Sequence, residues 1–100
     1  MNRTLASHVA FRLRLFIAGG TQNSTQALSN LNALCRERIP ERYEIEVVDV
    51  FLHPERALAE GIFMTPMLIV LEPTPQKRIA GTLGSPGVLA DALGLPRPPE

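Results

Sequence analysis

The chain has no tryptophan, only one cysteine (Cys35) and no net charge. Each shortage removes a class of function. One thiol cannot form a disulfide within the chain, so a cystine-stapled scaffold is excluded. Ten basic residues offset ten acidic ones, which leaves no basic footprint for nucleic acid or an anionic membrane surface. Long apolar runs are missing too. Arg12 and Arg14 interrupt the N-terminal hydrophobic stretch, which argues against a signal peptide or a membrane-spanning helix and gives a cytoplasmic expectation. His8 and His53 lie far apart, and no carboxylate or thiol recurs at ligand spacing. No metal and no other cofactor is expected.

What is present suits one small domain. Of 100 residues, 45% are hydrophobic, enough for a core, although a domain this small buries only about two-thirds of its unfolded surface. Phe11, Leu13, Leu15 and Ile17 alternate with Arg12 and Arg14, predicting a strand within 9–18. Gly19-Gly20-Thr21-Gln22 turns the chain. Asn23 or Ser24 is then expected to cap a helix whose apolar face is Ala27, Leu28, Leu31, Leu34 and Cys35. Ile39-Pro40 ends it, because a residue before proline disfavours helix.

Tyr43 to Val50 reads as a second strand, with Tyr43, Ile45 and Val47 on one face and Glu44 and Glu46 on the other. Pro54 opens a short helix and Gly61 closes it. Met67 to Leu71 predicts a third strand. Glu72-Pro73-Thr74-Pro75 turns it into an antiparallel fourth, Gln76 to Ala80. Ser85-Pro86 starts a last helix carrying Val88, Leu89, Ala92 and Leu93. Residues 1–8 are expected to form a flexible N-terminus, 9–94 the domain, and 95–100 a Pro-rich extended tail.

A strand, a helix and a strand at this length make a right-handed parallel crossover. The whole order, β-α-β-α-β-β-α, is a thioredoxin-like α/β arrangement, and Thr65-Pro66 falls where that fold carries a cis-proline. Enzymes with this fold place a reactive thiol where the first strand meets the first helix, whose N-terminus stabilises thiolate. That stretch here is Gly19 to Ser24, without a thiol. Cys35 sits about three turns away on the core-facing side of the helix, a position of buried, inert thiols. The glycine-rich turn offers backbone N–H groups to an anion, but it has neither the spacing nor the lysine of a P-loop, and a plain turn accounts for it. Glu37, Glu41, Glu44 and Glu46 gather around one helix-to-strand connection and read as a solvated edge rather than a catalytic pair.

The residues also resemble a known family. Ala18 to Ser24, with Ala27-Leu28 following, is similar to the Ala-Gly-Asn-Thr-Pro-Asn-Ser stretch of the circadian clock KaiB family. Val48-Asp49-Val50 with Pro54 resembles its Ile-Asp-Val-Leu-Lys-Asn-Pro segment. Thr65-Pro66 and the run Pro73, Pro75, Lys77, Arg78, Ile79, Gly81, Leu83 resemble its Ala-Thr-Pro-Thr-Leu and proline-then-Arg-Arg-Ile segments. The similarity spans about residues 11–93. Departures are Leu52-His53 for Lys-Asn, Thr82 for an aspartate, Gln22 for proline, and a shorter last helix.

The resemblance implies a non-enzymatic protein that binds a KaiC-type hexameric ring ATPase, with a KaiA-like protein or a histidine kinase as further partners. It also implies two folds. One is a homo-oligomeric ground state with a rearranged C-terminal half, and the other is the thioredoxin-like form, shared with the sensor domain of the kinase SasA. Pro66, Gly81 and Thr82 fall in the implied switch region. Partner contacts are expected on the second strand, at Tyr43, Ile45, Val47 and Asp49, and on the hairpin at Lys77 and Arg78. The rival readings are a thiol- or glutathione-dependent enzyme on the same fold and a stand-alone SasA-like sensory module.

Overall fold

The computed structural model describes residues 9–98; the segment 1–8 and the end of the tail lie outside them. Four strands and three helices follow in order: β1 (Phe11–Ile17), α1 (Gln22–Arg38), β2 (Tyr43–Asp49), α2 (Pro54–Ala59), β3 (Met67–Glu72), β4 (Lys77–Ala80) and α3 (Pro86–Ala92). One sheet of order β2-β1-β3-β4 results. β1 and β2 pair in parallel, and β3 runs antiparallel to both β1 and β4. The expected thioredoxin-like order is therefore present, and the Thr65-Pro66 peptide is cis, as are Glu72-Pro73 and Thr74-Pro75.

The sheet has apolar residues on both faces. Phe11, Leu13 and Leu15 of β1 join Leu68 and Val70 of β3 in the main core, against Ala27, Leu31 and Cys35 of α1 and Leu89 of α3. A smaller cluster forms on the opposite face from Phe16, Val48, Ala57, Ile62 and Ile69, under α2. Two-faced coverage explains why β3 reads as an unbroken apolar run rather than an alternation. It also adds Phe16 and Val48 to the core, which a one-faced reading of β1 and β2 leaves out.

Helix ends follow local chemistry, with one correction. α1 begins at Gln22 with Thr21 at the cap position and no side-chain cap bond, so neither Asn23 nor Ser24 caps it. Ser24 lies inside the helix, buried, where its hydroxyl accepts from the Ala18 N–H at 3.0 Å. The serine thus binds the end of β1 instead of capping the helix. α2 closes on Gly61, in the left-handed region at φ 67°, as glycine allows. The Gly61 N–H donates to Leu58 and the Ile62 N–H to Ala57, a Schellman pair whose apolar partner, Ile62, stays in the small core. α3 is capped by Ser85, whose Oγ accepts from the Val88 N–H, and it ends on Gly94 with the same paired pattern to Asp91 and Ala90. Val88 is 47% exposed, and Leu89 and Ala90 take the buried places. Leu95 packs onto the main core, and the Pro96 carbonyl accepts from Arg38. Among the described residues, no helix is long and apolar enough to cross a membrane.

Candidate functional site

β2 is an edge strand: β1 lies on one side, and no strand among the described residues lies on the other. Tyr43 and Ile45 lean half-buried onto the main core. Val47 keeps the same face but is 42% exposed. On the opposite face, register sets Arg12 beside Glu44 and Arg14 beside Glu46. Arg12 pairs with Glu44. Glu46 accepts from Arg14 Nε at 2.7 Å and from Arg56 Nη1 of α2 at 2.8 Å. Hydrogen bonds from Arg56 and then Arg14 hold its carboxyl at about 2, against an ordinary 4.5. These acids are thus tied to arginines within the fold. Their charge guards the edge against indiscriminate strand pairing.

Asp49 closes the strand. Its Oδ1 accepts from the Gly19 N–H at 3.1 Å and from the Phe51 N–H at 2.9 Å. Gly19, at φ 57°, lies so near Phe51 that a Cβ there would come within 3.2 Å of its ring. The β1–α1 loop and the segment after β2 are therefore locked to one carboxylate.

The hairpin cations separate, as neighbours on a strand must. Arg78 stands opposite Ile69 of the small core and donates to the Glu60 carbonyl at 2.7 Å. Lys77 stands opposite Val70 and is exposed. Pro66, Gly81 and Thr82, by contrast, come together. The Gly81 N–H donates to the Pro66 carbonyl at 3.0 Å, and the Thr82 carbonyl accepts from Asn30 Nδ2 of α1 at 2.8 Å. The site as a whole is therefore two places, an edge strand and a hairpin-to-helix junction.

The loop from Gly19 to Ser24 carries no thiol, and Cys35 is fully buried, its thiol pushed up to about 11 by burial. Sequence spacing foresaw both points. It missed the apolar surface around Phe51, Leu58, Phe63 and Met64, which has no periodicity because it is assembled from a turn, a short helix and a loop.

These features define a thioredoxin-fold protein built around an open strand edge and lacking the loop thiol of the redox members. Comparison with known proteins agrees on the fold and names the family. Solved structures of similar shape include mitochondrial thioredoxin 3 of Saccharomyces cerevisiae, at 16% identity and a TM-score of 0.69 over 93% of this chain and 85% of that one. Chloroplastic thioredoxin z matches at 18% identity and a TM-score of 0.64, over 80% of this chain and 73% of that one. Such identities establish fold alone. The family model described as the KaiB domain matches residues 14–90. Circadian clock protein KaiB3 of Synechocystis sp. is 39% identical over 88 residues, covering 88% of this chain and 84% of that protein. The circadian clock oscillator protein KaiB of Thermostichus vulcanus is 37% identical over 73 residues, 73% of this chain and 68% of that protein. The chain belongs to the KaiB family.

Proposed function

We propose that this chain is a non-enzymatic cytoplasmic protein that docks onto a KaiC-type hexameric ring ATPase and so modulates a clock or a timing and stress-signalling system. The observation carrying this reading is the KaiB domain across residues 14–90. The open edge of β2 supports a contact there, because backbone N–H and C=O groups without a strand partner accept an added strand. In this reading Tyr43, Ile45, Val47 and Asp49 line the contact, and Lys77 or Arg78 adds charge from the hairpin. The junction of Pro66, Gly81 and Thr82 is where the second family fold would diverge from this one, and the thioredoxin-like form is the binding-competent one.

A pull-down with a KaiC-type ATPase from the same genome tests the partner, and Val47→Pro tests the edge. Proline cannot donate to a strand ladder, so a folded Val47→Pro chain should lose the ATPase, with folding checked by circular dichroism. Retained binding by the folded variant would sink the edge assignment. Failure of the wild type to bind any such ATPase would sink the partner. The rival thiol-enzyme reading predicts insulin reduction, which a chain whose one thiol is buried should not support.

A further inference from the structure

Two residues of α3 are out of place by local rules. Gly87 lies inside the helix, where glycine is the poorest residue after proline. Asp91 puts a negative charge in the last turn, at the negative end of the helix dipole, and no basic residue of the helix offsets it. Arg97 accounts for both. Its Nη2 donates to Asp91 Oδ2 at 2.6 Å, and its guanidinium lies so closely across Gly87 that a Cβ there would come within 2.6 Å of Nη1. The segment carrying Arg97 is tied down on either side. After the turn at Gly94, Leu95 packs onto the main core, and the Pro96 carbonyl accepts from Arg38 Nη2 of α1 at 2.8 Å. Beyond Arg97, Pro98 is half-buried. The Pro-rich tail thus doubles back over the helix it follows.

We propose that residues 95–98 are a latch that holds α3 on the sheet, and that α3 opens with this latch as a unit of its own. The helix needs such help. Its seven residues fall short of the roughly 12–15 at which a helix stands alone in water. Of these only Leu89 and Ala90 are buried, so packing alone anchors it weakly. Pro96 and Pro98 restrict the free segment, which lowers the entropy lost when it docks. Beneath α3 lies the apolar seam with α1, where Leu34, Leu83 and Leu89 meet. Opening uncovers that seam, so the latch governs access to the main core from this side. The Arg97–Asp91 pair is exposed to solvent, and salt therefore loosens the latch. The device uses neither the open edge of β2 nor any ring ATPase, and it stands or falls apart from the proposed function.

Native-state hydrogen exchange of the full chain, read by NMR, tests it. The Leu89, Leu93 and Gly94 amides, bonded within α3 and its closing turn, should exchange through a smaller opening than those of Leu13 and Leu15 in the inner strand β1. Arg97→Ala should speed the α3 amides about two- to five-fold at low salt, the loss of an exposed pair, and leave β1 unchanged. High salt should erase that difference. Ending the chain at Leu95 also removes the Pro96 carbonyl and should speed them about ten-fold or more. Gly87→Ala supplies a test of sign. By propensity alone, alanine should slow α3 exchange about five-fold. With Arg97 pushed from its seat much of that gain is lost, and it returns in the double variant with Arg97→Ala. Three results would overturn the proposal: α3 and β1 amides that exchange and respond together, α3 exchange unchanged when residues 96–100 are removed, or Gly87→Ala slowing exchange equally with and without Arg97.

Discussion

Glu46→Gln removes one charge and keeps the shape, which isolates what the paired arginines contribute. In the native chain the carboxylate bridges β1 and α2, through Arg14 and Arg56. A pKa shift of one unit corresponds to about 1.4 kcal/mol for a group shielded from water. Glu46 is not shielded: its side chain is 44% exposed, and pairs in contact with solvent contribute about 0.2–1 kcal/mol each. Two such pairs set the expected cost of the substitution at about 1 kcal/mol at neutral pH and low salt. The sign with pH follows from the depressed carboxyl. Stability from this group is present above its ordinary value of 4.5 and is lost as pH falls toward about 2. The gap between wild type and variant, measured by urea unfolding followed by circular dichroism, should therefore be full at neutral pH and close through that acid window. It should also shrink in high salt, as screening dictates. A gap that is absent at neutral pH and low salt, or that persists unchanged down to the bottom of the window, would refute the reasoning.

Cys35 should react with a thiol reagent only as fast as the chain opens, because burial both hides the sulfur and holds its pKa at about 11; rapid labelling of native protein would contradict this. Gly94→Ala should lower stability by about 1–2 kcal/mol, the cost of a Cβ in the left-handed region that Gly94 occupies at φ 74°, seen as a lower urea midpoint at constant slope. Arg78→Glu should lose about 0.5–1.5 kcal/mol with its bond to the Glu60 carbonyl, while Lys77→Glu should stay within about 0.5 kcal/mol. Scored separately against ATPase pull-down, a loss with either reversal assigns that residue to the contact, and no loss with either returns both to the solvated surface.

Much of the fold was legible in the residues. The alternation from Phe11 to Ile17, the Ser85-Pro86 helix start and the closing Gly61 are local chemistry, and local chemistry decided those elements. Where tertiary contacts decided, the reading failed. Ser24 has the chemistry of a cap, but the Ala18 N–H claimed its hydroxyl, so α1 starts earlier. Alternation along β2 and β1 shows one buried face, whereas α2 covers the other and buries Phe16 and Val48. Val47 is exposed because an edge strand has a helix over only part of its width. For the candidate site, β2 and its acids were visible from spacing. The partners of those acids were not, since Arg56 reaches Glu46 across ten positions of sequence through a turn and a helix. The groove beside Phe63 left no trace, because its lining comes from a turn, a short helix and a loop that share no sequence period.

Asp49 gives the edge strand a fixed phase. A strand with a free side can slide by one residue, which turns every side chain to the wrong face and invites uncontrolled polymerisation. Here the last carboxylate of β2 holds Gly19 after β1 while a local bond from the Phe51 N–H fixes its own orientation, so slipping by a single position would break the bond to Gly19. Under the proposed edge contact, an incoming strand would meet Ile45 and Val47 at positions this carboxylate has already fixed.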